Sequence, residues 1–280
     1  MIRPRLLVAF VALTTIAPPA VARDLRVMSF NVRLPLDSDG ANRWEARRDL
    51  FIATVASADP DIFGTQELHQ RQGNDIVRGL PHYNWFGRDR RGGHRDEHMG
   101  IFYRRDRLTL IEQGDFWLSD TPDTPASISW GHPLPRMVTW GRFTDAKGRR
   151  FVLLDTHFPY RAEDEAAREK AATLIARRLD RIAKGDPIVL TGDFNTIPDS
   201  TAHRILTESL IDARLVATKP IGPEATFHDF TGTPDRRIDW ILVRGFRVDS
   251  FATDTDHDGR RYPSDHFPVT ADLSFRDTKR

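Results

Sequence analysis

The 280 residues contain no cysteine. That removes disulfides, thiolate metal sites and cysteine nucleophiles together, so stability must come from a packed core. Charge of one sign is also lacking, with 41 Lys and Arg against 40 Asp and Glu. Near-neutrality argues against a protein held to nucleic acid by a broad basic surface, although a nuclease touching a few phosphates stays open. Beyond the N-terminus, no apolar run approaches the ~20 residues that cross a bilayer. Gly/Ser/Pro linkers, internal repeats and low-complexity tracts are missing too, which favours one large domain. What is present suits that domain: 39% hydrophobic and 10% aromatic residues can fill a large core.

The first 22 residues stand apart. Arg3 and Arg5 precede an apolar stretch from Leu6 to Ala17, Pro18 and Pro19 interrupt it, and Ala20-Val21-Ala22 supplies small residues. This layout predicts a signal peptide over 1–22, cleaved after Ala22, and a domain over 23–280 that is exported to a periplasm or secreted. Without Arg3 and Arg5 the 41 basic residues become 39 against 40 acidic ones, a net charge of −1. The expected product is a monomer without stable membrane association.

Periodicity predicts strands at 25–31, 61–66, 83–87, 99–103, 108–118, 136–143, 150–157, 187–191, 237–243, 247–252 and 266–275. Helices are expected at 43–58 and 162–184, with weaker ones at 70–79 and 201–208. In the long helix Ala171, Leu174, Ile175, Leu179 and Ile182 share one face, and Gly185 with Asp186-Pro187 closes it. Many short strands with few long helices imply two packed sheets covered outside by helices.

Several of these strands end in polar residues. Residues i and i+2 of a strand project to one face. In FVLLDTHF, Phe151, Leu153, Asp155 and His157 therefore share a face that starts apolar and ends polar. By the same alternation Asp193 and Asn195, following the apolar 187–190 segment in TGDFN, are expected to point together from the strand end, and Asp239 interrupts RRIDWILV. VMSFN ends in Asn31, DIFGTQE in Gln66 and Glu67, and YPSDHFPV carries Asp265 and His266. Singly, each is an ordinary turn residue bonding its own backbone. Their repetition without a thiol suggests a hard-cation site with acid–base chemistry.

The ordered set SFN (29–31), QE (66–67), DTH (155–157), GDFN (192–195), RID (237–239) and SDH (264–266) resembles the endonuclease/exonuclease/phosphatase superfamily. FWLSDTP, PRMVTW and TFHDF are further similar to a bacterial, often exported branch of metal-dependent hydrolases. The resemblance implies an α/β fold, a four-layer sandwich of two packed, mostly antiparallel sheets flanked by helices. It also implies a Mg²⁺-dependent phosphoesterase, with Mn²⁺ as a substitute, that hydrolyses phosphodiesters by water attack as a nuclease or general phosphodiesterase. The alternative is a small-molecule or lipid-headgroup phosphoesterase. A non-catalytic phosphate- or protein-binding module is the remaining class.

By the same resemblance Glu67 is the first metal ligand, with Asn31 and Asp265 completing or supporting the shell. Asp193 orients or deprotonates the attacking water, and Asn195 holds that water or a phosphoryl oxygen. His266 faces the phosphate, with Asp239 on its other ring nitrogen, and His157 is a second phosphate contact that a positive charge would strengthen. Candidate substrate contacts are Glu97, Arg136, Asp155 and His228. Two departures stand out: Asp155 replaces the branch's asparagine, adding negative charge near an anion site, and Pro159-Tyr160 replaces its Asp-His. The loop Gly87–Gly100 is dense in Arg88, Arg90, Arg91 and Arg95, which suits either phosphate binding or a solvated surface. DTDHDG (254–259) lacks the remaining ligands of a calcium loop and reads as a surface turn.

Overall fold

The computed structural model describes residues 23–276. The signal peptide expected over 1–22 lies outside the described residues. Two six-stranded mixed sheets face each other. The first runs β11 (Phe246–Thr253), β12 (Val269–Phe275), β1 (Leu25–Asn31), β2 (Ile62–Leu68), β4 (His98–Arg104) and β3 (Tyr83–Phe86). The second runs β5 (Leu108–Trp117), β6 (Met137–Asp145), β7 (Arg150–His157), β8 (Ile188–Asp193), β10 (Asp239–Arg244) and β9 (Ile211–Asp212). β1–β2 and β7–β8 are parallel and every other pairing is antiparallel.

The helices cover the outer faces, giving four layers. α1 (Trp44–Ala58) and α2 (Gln70–Gly79) place Trp44, Phe51, Val55 and Ile76 on Met28, Phe30, Phe63 and Phe102 of the first sheet. α3 (Glu165–Ala183) and α4 (Thr201–Thr207) set Ala171, Ile175, Leu179 and Leu206 on Val152, Leu154, Leu190 and Trp240 of the second. Burying one such Leu, Ile or Phe is worth about 1.5–3 kcal/mol, so the amphipathic faces suffice to seat these helices. α5 (Ala213–Val216) is a single turn beside β9.

Strand alternation sorts the remaining side chains. Leu25, Val27, Ile62, Phe151, Leu153, Val189, Ile241 and Val243 fill the space between the sheets. Further along the same inward faces come Ser29, Gln66, Asp155 and Thr191, and then Asn31, His157, Asp193 and Asp239. One end of the inter-sheet space is thus apolar and the other carries chemistry.

Most element bounds shift by one or two residues from expectation, and three larger differences stand out. The long helix begins at Glu165 because residues 162–164 form a 3₁₀ turn, where Asp164 accepts a bond from the Arg161 N–H (3.0 Å). The last strand begins at Val269, past Pro268, which has no N–H to donate to a ladder. β9 and α5 were not foreseen from the sequence, being too short to carry a periodic signal.

Candidate active site

The polar ends of β1, β2, β7 and β8, the start of β10 and the loop before β12 surround a cavity of about 390 Å³. Its lining includes Glu67, Glu97, Arg136, His157, Asp193, Asn195, Asp265 and His266 from the sequence reading. Asn31 and Asp239 sit immediately behind them. Asn31 Nδ2 donates to Glu67 Oε1 (3.1 Å) and to Asp193 Oδ2 (3.0 Å), tying the two sheets together. Asp239 Oδ2 accepts from His266 Nδ1 (2.8 Å).

Backbone geometry aims these groups. β2 bulges opposite β4, where two residues lie between Thr65 and Leu68 but one between Gly100 and His98. Glu67, in that bulge, has φ 60°, and Leu34 N–H holds its Oε2 at 3.0 Å. Asn195 has φ 49° and Arg33 φ 59°. Left-handed backbone at non-glycine residues costs about 1–3 kcal/mol each, and here all three line the cavity. Asp193 is the last residue of β8, so simple alternation does not extend to Asn195. Instead Asn195 N–H closes a turn onto Asp193 Oδ1 (3.0 Å), and its Nδ2 donates to Phe158 O (3.1 Å). The ordinary turn and the site geometry are one feature.

Electrostatics separate the two histidines. Burial disfavours a charge on His266, but the facing Asp239, Asp193 and Asp265 outweigh it and raise the imidazole to about 10. His157 is held well below its ordinary value by burial, reinforced by Arg136 and His266. That environment disfavours the positive charge that would strengthen a phosphate contact at His157, whose Nε2 lies 3.4 Å from Asp193 Oδ2. Burial pushes Asp193 up, with Asp239 and Glu67 adding to the rise against the pull of His266. Glu97 is pushed up to about 7 by burial and then by Glu67, while Arg90 Nη2 lies 2.8 Å from it.

Four arginines border the cavity: Arg33, Arg90, Arg136 and Arg236. Arg136 is buried, its Nε–H donates to His132 Nε2 (3.3 Å), and His132 Nδ1–H donates to Asp164 Oδ2 (2.7 Å). Its Nη1 has no hydrogen-bond partner among the described residues. Arg33 is held by Asp39 (2.9 Å) and approaches Asp265 Oδ2 (3.5 Å). The arginine-rich loop is organised by Asp89, which accepts from the backbone N–H groups of Arg91, Gly93, Arg95 and Asp96. Arg90 turns into the cavity, while Arg88 pairs outward with Asp115 (2.6 Å). Sequence reasoning missed Arg33, Arg236, Leu134, Phe227 and Ile238, although Phe227 and Ile238 lie inside the TFHDF and RID segments and Arg236 and Leu134 directly precede RID and PRMVTW. Tyr160, noted only as a departure, lines the mouth and is exposed.

Two candidate substrate contacts lie elsewhere. Asp155 is two residues deeper on β7, wholly buried, and accepts from Gln66 Nε2 (2.7 Å) and Thr191 Oγ1 (2.7 Å). Among the described residues it pairs with no arginine, and burial raises it well above its ordinary value, which disfavours a negative charge there. His228 stacks on Phe267 (centroids 4.1 Å apart) and is pushed down to about 4 by burial and by His266. Neither residue lines the cavity.

A divalent cation fits the donor set. Glu67, His157 and Asp193 offer ligand atoms within 4.8 Å of one another. Asp193, Asp239 and His266 do so as well, but His266 Nδ1 is already committed to Asp239. Of the three ligands expected from sequence, Glu67 belongs to the first set and Asn31 braces it. Asp265 is engaged with Ser264 Oγ (3.1 Å) and Arg33. A hard, oxygen-rich set with one imidazole and no thiol suits Mg²⁺ or Mn²⁺.

A carboxylate beside an acid-paired histidine, arginines and residues that could hold a cation suit the hydrolysis of phosphate esters. The chain belongs to the endonuclease/exonuclease/phosphatase family, whose model matches residues 28–266. A solved member from Bacteroides thetaiotaomicron is 34% identical, with TM-score 0.85 over 90% of this chain and 98% of its own. A mannosyl-6-phosphatase from the same species is 34% identical, with TM-score 0.85 over 90% of this chain and all of its own. An uncharacterised protein of Acanthamoeba polyphaga mimivirus is 30% identical over 164 residues, 55% of this chain and 60% of that protein. The chain spans about half the length of the curated relatives it matches.

Proposed function

We propose that the protein is an exported, divalent-metal-dependent phosphoesterase that removes a terminal phosphate from a small polyhydroxylated molecule such as a hexose phosphate. The observation that carries this reading is the bounded cavity of about 390 Å³ bordered by four arginines and the cationic His266. A monoester carries nearly two negative charges at neutral pH and a diester one; with Arg33 and Arg90 already paired to Asp39 and Glu97, the unpartnered Arg136 Nη1 and the His266 Nε2–H are the donors that suit the extra charge of the monoester. The volume lies near the lower end of small-ligand pockets, which suits one sugar ring with its phosphate better than a polynucleotide strand. The name of the 34% identical mannosyl-6-phosphatase supports the same choice. This reverses the sequence-based preference for a nuclease or general phosphodiesterase. Export rests on the layout of residues 1–22 alone.

A divalent cation held by Glu67, His157 and Asp193 would supply charge neutralisation of the phosphate. The protein's own groups do the rest. Asp193, fixed through Oδ1 by the Asn195 N–H, takes a proton from the attacking water. Asn195 Nδ2 is committed to Phe158 O, which leaves its carbonyl oxygen to align that water. His266 keeps its Nε2–H toward the phosphoryl oxygens because Nδ1–H is held by Asp239. Arg136, braced by His132 and Asp164, presents its free Nη1–H groups to the same oxygens.

The test is inorganic phosphate release from mannose 6-phosphate, glucose 6-phosphate and p-nitrophenyl phosphate. Bis-p-nitrophenyl phosphate and single-stranded DNA are run in parallel, each with Mg²⁺, Mn²⁺ or chelator. Hexose phosphates are expected to turn over at least ~10-fold faster than either diester and to stop with chelator. Faster cleavage of DNA or of the bis-ester would overturn the monoester reading. Glu67→Gln is expected to shift the Mg²⁺ activation curve to higher concentration, and an unshifted curve would remove Glu67 as a ligand. Mass spectrometry of the exported chain is expected to find Arg23 at its N-terminus.

A further inference from the structure

A second cavity, of about 720 Å³, lies at the open edge of the sandwich where β3 faces β5. Its lining includes Gln70, Trp85, Phe86, Gln113 and Thr139, together with the Arg88–Asp115 pair. None of its lining residues is shared with the catalytic cavity. It forms because β3 has four residues against ten in β5, so the chain leaves the sheet at Gly87 and exposes the inward face of the opposite layer. Gly87 has φ 140°, and a Cβ there would stand 3.7 Å from Thr139 Cγ2, over the cavity floor. The segment from Gly87 to Glu97 separates the two cavities: Arg88 and His94 border this one, Arg90 and Glu97 the catalytic one.

Two polar atoms in this lining are unsatisfied. Thr139 is 2% exposed and its Oγ1 has no hydrogen-bond partner among the described residues; Gln70 Oε1 is likewise buried and unpartnered. Leaving a buried polar atom unpaired costs about 1–3 kcal/mol, so two at one cavity point to something that pairs with them. The charges, by contrast, are already matched. Arg88 forms a two-point ion pair with Asp115 (2.8 and 2.6 Å) and lies over the Trp117 ring, so the one arginine of the lining is already matched, and His94 is bonded to His98 (3.2 Å). Apolar surface comes from half-buried Trp85, whose ring stacks on Phe102, and from Phe86.

We propose that this edge cavity binds a neutral sugar ring, separately from the catalytic site. Hydroxyl groups both donate and accept, so they suit the exposed Gln113 amide and, once the Thr139 and Gln70 side chains turn toward the cavity, the Thr139 hydroxyl and the Gln70 carbonyl. The C–H face of the ring packs on Phe86, on the inter-sheet side of β3, with Trp85 bordering the cavity from the other face of the strand. Matched charges in the lining select against phosphorylated ligands here, while the catalytic cavity selects for them. A glycan carrying one phosphorylated and one plain residue would thus find a place for each.

The test is calorimetric titration of the full chain with mannose, methyl α-mannoside and mannobiose, without phosphate ester present. Saturable binding is expected, weakened at least ~10-fold in Thr139→Val and in Gln113→Ala, an exposed site that spares the core. Hydrolysis of p-nitrophenyl phosphate by both variants should stay within about twofold of wild type, as neither residue borders the catalytic cavity. Absence of saturation by any of the three sugars at tens of millimolar overturns the proposal. Binding that both variants leave intact, or that inorganic phosphate displaces competitively, overturns it too, since the sugar then sits in the catalytic cavity.

Discussion

Asp155 and Asp193 are carboxylates on the inward faces of adjacent parallel strands, two register steps apart. Both are buried and both are raised by burial, yet their surroundings differ. Asp193 faces His157, His266 and Asn31 at the cavity wall. Asp155 faces Gln66 and Thr191, and across from it Gly64 has no side chain. At ~3.3 Å per residue, two steps along a strand amount to about 6.6 Å, enough to turn a reactive group into a structural one. The lesson is that a shared face does not mean a shared site; depth along the strand decides.

Perturbing the shallow layer should produce the largest effects. His266→Gln keeps a hydrogen bond to Asp239 but loses the cation, and phosphate release should fall by at least ~10²-fold with little change in melting temperature. A rate within a few-fold of wild type would mean that His266 does not face the phosphate.

The deep layer should answer in stability instead. A Cβ on Gly64 would stand 2.1 Å from Asp155 Oδ1. Gly64→Ala must therefore displace the carboxyl or the strand, at about 1–3 kcal/mol of overpacking. Chemical denaturation should register this as an earlier midpoint with an unchanged slope; a wild-type midpoint would mean that the layer is loosely packed.

A smaller, pH-dependent effect is expected at Asp164, outside both layers. Arg161 and His132 outweigh its burial and hold it down to about 2, below its ordinary 3.8. A depressed carboxylate stabilises the fold fully above 3.8 and loses that contribution as pH falls from 3.8 through 2. Melting temperatures of Asp164→Asn should accordingly converge on wild type across that window and lie below it at neutral pH. Parallel curves would contradict the assignment.

Much of this layering was legible in the sequence. Alternation placed Asn31, Asp155, His157 and Asp193 on strand ends, and the motif order identified the family and its fold. Other features were hidden because they arise from backbone or from tertiary contact. The bulge that aims Glu67 depends on register with β4, which no local pattern encodes. Arg90 was indistinguishable from Arg88 because Asp89, wrapped by four backbone N–H groups, decides which one turns inward. Asn195 reaches the site through a left-handed turn rather than the strand geometry first expected. The charge preference of His157 was not legible, because burial and the approach of Arg136 from another strand set it.

The most direct measurement compares Asp193→Asn with Asp155→Asn in one Mg²⁺-supported phosphate-release assay, with melting temperatures recorded alongside. Asp193→Asn should lose ~10²-fold or more in rate while melting near wild type, and Asp155→Asn should keep its rate within a few-fold. Equal losses in both variants, or a greater loss in Asp155→Asn, would contradict the division of the inter-sheet face into a reactive and a structural layer.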